Sequence, residues 1–123
     1  MSFALARYRS TRTVTASPLQ IVVQLYDGAI RYLRSSQEAM TQRDYPAKGH
    51  AVRKAHAIVS ELQATLDPAK APELCAQLYG LYDFVLTQLA KANVENAPEH
   101  LDSAIRVLSE LRDGWAQIAK EQA

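Results

Sequence analysis

The chain has 123 residues, of which 48% are hydrophobic and 22% charged, and its formal net charge is +1. This profile is typical of one globular domain with a sizeable core, and it argues against both a disordered chain and a protein built mainly to bind nucleic acid. A single cysteine excludes an intrachain disulfide. No apolar run approaches the roughly 20 residues of a membrane span, and the N-terminus lacks a long apolar segment. We therefore expect a soluble, cytoplasmic protein.

Residues 1–16 have the composition of an N-terminal arm. Arg7, Arg9 and Arg12 lie there among serines and threonines, with Tyr8 and other apolar residues between them. Chain termini are poorly held unless something ties them down, and these apolar residues could do so by packing on the rest of the chain. A basic arm can also bind phosphates, so this alternative stays open.

The first predicted helix covers about 18–41. Ser17 suits the N-cap position and Pro18 the first helical position. Behind them, apolar residues recur at helical spacing in two adjacent stripes, which predicts neighbours on more than one side. One stripe contains Val22, Tyr26, Ala29 and Leu33, and the other contains Ile21, Leu25 and Tyr32.

Prolines divide the rest of the chain into three further helices, over about 45–66, 72–92 and 98–121. All five prolines lie at the start or break of a helical pattern, where they avoid the cost of proline in a helix interior. No sustained alternation predicts a strand. Short loops between such helices predict an all-α, antiparallel up-down four-helix bundle over 17–123, preceded by the arm or a short N-terminal helix.

Three glycines, Gly28, Gly80 and Gly114, lie inside predicted helices, where glycine is unfavourable. One interpretation is close packing of two helices against each other. The other is that the glycines leave shallow places where a partner helix can lie. The sequence leaves both interpretations open.

The sequence shows no catalytic or metal-binding pattern. His50 and His56 are six residues apart and point to different sides of a helix. A di-iron bundle needs Glu-x-x-His motifs, which this sequence lacks. Glu61 is a lone carboxylate on a mostly apolar helix, and Cys75 has no histidine near it in sequence. We therefore expect no enzyme activity, no metal and no cofactor.

The predicted helices carry more apolar residues than one central seam requires. The extra residues could fill the flanks of the core or form exposed grooves for an amphipathic partner helix. Periodicity alone does not separate these alternatives. The positions are Ile21, Leu25, Val52, Val59, Tyr79, Tyr82, Leu86 and Val107.

Motifs in order along nearly the whole chain resemble those of the flagellar secretion chaperones, the FliS family. They are Tyr8, Thr15-Ala16-Ser17-Pro18, Leu25-Tyr26-Asp27-Gly28, Lys54-Ala55, Ile58, Glu61-Leu62, Leu66-Asp67, Leu78, Leu81-Tyr82-Asp83-Phe84, Leu89, Ala92-Asn93, Leu111-Arg112 and Trp115. The resemblance implies a cytoplasmic four-helix bundle that binds the disordered C-terminal segment of flagellin. Such a protein prevents premature filament polymerisation and assists delivery of flagellin to the flagellar export apparatus. The chain departs from the family pattern at His56 and at the 67–72 turn, which lacks a Gly-Gly pair.

The resemblance also implies that the arm around Tyr8 packs on the bundle and takes part in client binding. The residues predicted to contact the client are Tyr8, Leu25, Tyr26, Val52, Ala55, Val59, Tyr82 and Val85. We expect no nucleic acid and no membrane as partner, and the oligomeric state stays open, a homodimer included. The alternative function is a regulatory or nucleic-acid-binding helical bundle that acts through the basic arm.

Overall fold

The computed structural model describes residues 18–122, which form four α-helices and one short 3₁₀ helix. The helices are α1 (Pro18–Gln42), α2 (Tyr45–Ala64), α3 (Pro72–Glu95), the 3₁₀ helix (Pro98–His100) and α4 (Leu101–Glu121). No residue between 18 and 122 lies in a strand, so the predicted all-α fold is confirmed. The predicted arm and the predicted N-cap Ser17 lie outside the described residues.

Each helix packs mainly against two neighbours, so the four helices form a ring. α1 contacts α2 and α4, and α3 contacts the same two helices, which places α1 and α3 diagonally opposite each other. Short connections reverse the chain between successive helices. The architecture is therefore the predicted antiparallel up-down four-helix bundle.

Arg43 and Asp44 alone connect α1 to α2. Arg43 has a left-handed backbone with φ of 54°. The N–H of Asp44 donates to the carbonyl of Ala39 at 2.9 Å, as in a Schellman motif. Asp44 then caps α2, because its carboxylate accepts a hydrogen bond from the N–H of Ala47 at 3.1 Å. One aspartate thus takes part in ending one helix and starting the next.

The ends of α2 and α3 differ from the sequence-based expectation. α2 ends at Ala64 rather than at residue 66, and the Thr65 hydroxyl donates to the carbonyl of Leu62 at 2.7 Å just beyond that end. α3 continues to Glu95 rather than stopping at residue 92, because the first residue to leave helical geometry is Asn96, with φ of 50°. Asparagine tolerates this left-handed conformation better than most residues.

The fourth predicted helix is divided into the 3₁₀ helix and α4. Gln37 of α1 connects to both parts, since its side-chain amide donates to the Pro98 carbonyl at 3.0 Å and to the Asp102 carboxylate at 2.8 Å. These hydrogen bonds hold the start of α4 against α1.

Asn96 and Lys48 join three helices at the end of the bundle where α1 meets α2. The Lys48 ammonium donates to the carbonyl of Asn93 and to the side-chain oxygen of Asn96, both at 3.2 Å. The Asn96 amide donates in turn to the carbonyl of Met40 at 3.2 Å. Side chains thus supply hydrogen bonds to carbonyls near the ends of two helices.

The hydrophobic core runs along the axis of the bundle and draws on all four helices. Its buried members are Tyr26, Ala29, Ile30, Leu33, Met40, Ala55, Val59, Leu62, Leu78, Tyr82, Val85, Leu89, Ala92, Leu101, Ala104 and Leu108. Across residues 18–122, none of the helices has both the length and the apolar character needed to cross a membrane.

Candidate partner-binding site

Five of the eight residues predicted to contact a client lie inside the bundle. These five are Tyr26, Ala55, Val59, Tyr82 and Val85, each at most 3% exposed. Side chains buried to this degree reach no partner while the bundle is closed. They lie here because helical spacing identifies an apolar face without distinguishing the centre of that face from its edges.

Two further predicted contact residues are accessible. Leu25 on α1 and Val52 on α2 are half-buried at the edges of the core. Tyr8 lies outside the described residues. Contact between any of the eight and a client therefore stays a prediction, and Leu25 and Val52 are the two that the described structure leaves partly open to a partner.

A hydrogen-bonded aromatic cluster joins three helices inside the bundle. The hydroxyls of Tyr26 on α1 and Tyr82 on α3 hydrogen-bond to each other, and their ring centroids are 6.3 Å apart. The indole N–H of Trp115 on α4 donates to the Tyr26 hydroxyl at 3.2 Å. Buried tyrosine and tryptophan need such partners, because an unpaired polar group in the core is costly.

The same burial changes the acidity of both tyrosines. Loss of solvent raises the pKa of Tyr82, and the neighbouring Tyr26 raises it further. Loss of solvent also raises the pKa of Tyr26, although its hydrogen bonds with Tyr82 and Trp115 act in the opposite direction. Both side chains are therefore neutral in the folded protein near pH 7, and the cluster acts as a structural unit.

An ion pair connects α1 to α4 next to this cluster. The Arg112 guanidinium donates to the Asp27 carboxylate at 2.8 Å, and this hydrogen bond raises the pKa of Arg112. The pair borders an open groove of about 580 Å³ between the two helices, where Arg31 and Arg34 also lie. Exposed pairs of this kind contribute little to stability.

The exposed large apolar side chains are concentrated on α3. Leu74, Tyr79, Phe84 and Val94 all lie on this helix and are 37% to 85% exposed. Only Tyr45 and Ile118 expose comparable apolar side chains elsewhere between residues 18 and 122. Exposed apolar side chains of this size are candidates for contact with a partner protein.

Gly28, Gly80 and Gly114, for which the sequence left two interpretations open, differ in their surroundings. A Cβ added to Gly28 would lie 3.3 Å from the Ile58 side chain, so this glycine allows α1 and α2 to pack closely. A Cβ at Gly80 or Gly114 would meet no atom of the described residues within 4 Å. Packing inside the bundle therefore explains Gly28 but not the other two.

The histidines lie on the surface and make local contacts. The His50 ring packs edge-on against Tyr32, and His100 pairs with Glu95 at 3.0 Å. Within the described range, no group of three potential ligands could hold a metal ion. Glu61 keeps one buried carboxylate oxygen that has no hydrogen-bond partner among the described residues.

Sequence reasoning did not assign a client-contact role to the residues that α3 exposes. The sequence left open whether Tyr79 fills the flank of the core or lines an exposed groove, and it identified Phe84 only as part of a motif. The available signal was the composition of α3, which has apolar residues on every side of the helix rather than on one face.

The fold and these motifs define a class, the helical secretion chaperones of the flagellar system. The FliS family model, described as "Flagellar protein FliS", matches residues 1–122. The chain therefore belongs to the FliS family of flagellar secretion chaperones, which confirms the resemblance seen in the sequence.

Individual relatives support the same assignment. The flagellar secretion chaperone FliS of Vibrio cholerae is 37% identical over 106 residues, which cover 86% of this chain and 78% of that protein. The Salmonella typhimurium protein of the same name is 35% identical over 107 residues, with 86% and 79% covered.

A solved structure shows the same fold. A crystal structure of a flagellar chaperone from bacteria superposes with a TM-score of 0.79 at 24% identity, and 96% of each chain is covered. At this level of identity the likeness supports the four-helix architecture alone.

Proposed function

We propose that this FliS family member is a cytoplasmic export chaperone for flagellin. In this proposal it binds the C-terminal segment of flagellin, which is disordered when free, and keeps it from polymerising prematurely. It then assists delivery of the subunit to the flagellar export apparatus. The role is binding and release, without catalysis or a cofactor.

The observation that carries the proposal is the apolar surface of α3 on a bundle of this family. Tyr79 is 55% exposed and Val94 85% exposed on this helix, which also carries the half-buried Leu81 and Leu86. An amphipathic helix can bury its apolar face on such a surface, which is a recurring mode of peptide recognition. Buried residues of all four helices pack in one core and support this surface.

Reversible binding fits this type of client. A disordered segment that folds on binding spends about 2–5 kcal/mol or more of the interaction energy on ordering. That cost moderates affinity and keeps release possible.

We further propose that Leu25 and Val52 contact the client directly, while the five buried predicted residues support the surface from beneath. The predicted role of Tyr8 in client binding is retained as part of the proposal.

Family membership supports the chaperone over the nucleic-acid-binding alternative. The two differ in what they predict for residues 1–14. Deleting these residues should change client affinity if the protein is a chaperone. It should abolish a steeply salt-dependent binding to DNA or RNA if the basic arm serves nucleic acid.

Isothermal titration with a synthetic C-terminal flagellin peptide tests the proposal directly. We expect saturable binding of one peptide per chain and a matching shift on a sizing column, which also reports whether the free protein is a homodimer. A scrambled peptide of the same composition is the control. Absence of heat and of a shift with the authentic peptide would contradict the proposed function.

A polymerisation assay tests the proposed consequence. Monomeric flagellin seeded with short filaments should polymerise more slowly when this protein is present in equimolar amount, as followed by light scattering. Flagellin that lacks its C-terminal segment should not co-elute with the protein.

A further inference from the structure

The side of α3 that faces away from the core carries four exposed residues in one line. They are Glu73, Gly80, Phe84 and Lys91, and they follow one another at spacings of seven, four and seven residues. At roughly 3.6 residues per turn, these positions lie within about 40° of one another around the helix. We call these four residues the outer stripe of α3.

Gly80 leaves a shallow place in the outer stripe. No atom of residues 18–122 lies within 4 Å of the position that its Cβ would take, and glycine in a helix costs about 1 kcal/mol relative to alanine. Packing within these residues thus gives no reason for glycine here. One turn further along, the aromatic ring of Phe84 is 37% exposed. The stripe therefore has both a projecting ring and a place where a large side chain can approach the backbone closely.

The outer stripe is complementary to an antiparallel copy of itself. Gly80 and Phe84 lie equally far from position 82, and so do Glu73 and Lys91, so the spacing reads the same in both directions. A two-fold axis at this height brings each residue of a pair opposite the other residue in the second copy. Phe84 then lies over the partner subunit's Gly80, and Glu73 lies beside the partner subunit's Lys91.

Charge supports the antiparallel arrangement. Within residues 18–122, neither Glu73 nor Lys91 takes part in an ion pair. An antiparallel pair of α3 helices brings these opposite charges together at both ends, whereas a parallel pair would place like charges opposite each other. The exposed Asp83 lies one residue from the centre, at the rim of the stripe. Its two copies repel each other across solvent, which limits affinity without opposing the fit of the stripe itself.

We propose that two copies of this chain pair through the outer stripes of α3, packed antiparallel across Gly80. An interface of this kind is isologous and closes with two subunits. One helix face per subunit is a small interface, so we expect a reversible dimer that dissociates on dilution. The pairing concerns the chain without a client, so it goes beyond the proposed function and is tested separately from it.

Sedimentation equilibrium of the full chain without any peptide tests whether the pair forms. We expect monomers at low micromolar and dimers at high micromolar concentration. Gly80→Gln fills the shallow place without adding apolar surface, so it should raise the dimer dissociation constant at least tenfold and leave the circular dichroism spectrum unchanged. Gly114→Gln is the matched control, since Gly114 is equally open but lies on α4, and its dissociation constant should stay within twofold of the wild type.

Charge reversal tests the antiparallel register. Glu73→Lys and Lys91→Glu should each weaken the dimer at least threefold at low salt, because each places like charges opposite each other, and the effect should shrink as salt increases. The double variant again has opposite charges at both ends, so its dissociation constant should return to within twofold of the wild type. Glu110→Lys, an exposed substitution on α4, is the control and should leave the dissociation constant unchanged.

Three outcomes would overturn the proposal. The first is a wild-type chain that stays monomeric at high micromolar concentration. The second is a dimer that Gly80→Gln leaves intact or that Gly114→Gln weakens as much, since its interface would lie elsewhere. The third is a charge-reversed double variant that does not recover. None of these measurements involves the flagellin peptide, whose binding alone decides the proposed function.

Discussion

The hydroxyl of Tyr26 on α1 hydrogen-bonds the hydroxyl of Tyr82 on α3 across the axis of the bundle. These two helices are diagonal to each other, so the bond links elements that share little other surface. Trp115 adds α4 to the same cluster through its indole N–H. The three residues thus fix the relative positions of three helices beneath the proposed binding surface.

Removing the side-chain hydroxyl of Tyr26 or of Tyr82 should lower the free energy of unfolding, and the two substitutions should lower it by different amounts. Tyr82→Phe deletes one hydrogen bond and should cost about 1 kcal/mol. Tyr26→Phe deletes two and leaves the Trp115 N–H and the Tyr82 hydroxyl without this partner, so it should cost about 2–3 kcal/mol. Urea unfolding followed by circular dichroism measures both. A larger loss for Tyr82→Phe would contradict the assignment of Tyr26 as the centre of the cluster.

Stability should fall at alkaline pH because of the same tyrosines. Burial raises the pKa of Tyr26 and Tyr82 above the ordinary value of 10.0. Below pH 10 both side chains are neutral in the folded and unfolded states, so their contribution is fully present. Above it the unfolded chain loses these protons first, and stability declines by up to about 1.4 kcal/mol per pH unit for each tyrosine.

The double variant Tyr26→Phe/Tyr82→Phe is the comparison for this pH dependence. It should be less stable than the wild type at pH 8 but should lose less stability between pH 9.5 and 11. Urea unfolding at several pH values measures the two slopes. Parallel slopes would show that other groups cause the alkaline loss.

Asn96 should be sensitive to substitution because it combines a left-handed backbone with two side-chain hydrogen bonds. Asn96→Ala loses both bonds and leaves at φ of 50° a residue that tolerates the left-handed conformation less well than asparagine, so it should cost about 2–3 kcal/mol. Asn96→Gly loses the same bonds but relieves the backbone, and should cost about 1 kcal/mol less than alanine. Thermal unfolding of the pair gives the difference. Equal losses would mean that backbone conformation is unimportant at this position.

The helical glycines should respond in opposite ways to alanine. Gly80→Ala and Gly114→Ala should each stabilise the protein by about 0.5–1 kcal/mol, because both positions are open. Gly28→Ala should give no gain or a loss, because the new Cβ lies 3.3 Å from the Ile58 side chain. Ile58→Val removes that methyl group, so the double variant should be more stable than the two single effects predict. Chemical denaturation of the wild type, Gly28→Ala, Ile58→Val and the double variant checks this coupling.

The sequence predicted the fold well because helical signals are local. Proline positions and the 3.6-residue spacing of apolar residues lie within single helices, and they locate the helices to within a few residues. The errors at the helix ends came from capping. Neither the Thr65 hydroxyl bond that follows α2 nor the left-handed Asn96 that ends α3 produces a break in the apolar pattern.

The candidate site was less predictable from sequence. Ala55, Val59, Tyr82 and Val85 are among the predicted contacts, and the structure places all four in the core, each at most 3% exposed. Which apolar residues remain at the surface depends on the position of the neighbouring helices. Tyr79 and Phe84 are exposed because no other helix of the ring covers the outer side of α3.

The sequence by itself determined the number of helices, their approximate extents, the all-α class and the family, since each depends on the order and spacing of residues along the chain. Only the tertiary structure decided that Tyr26 meets Tyr82, 56 positions away, that Asp27 pairs with Arg112, and that Gly28 is crowded while Gly80 is open. The physical reason is that such pairings depend on the rotation and height of each helix within the bundle, and these are set by packing of all four helices together.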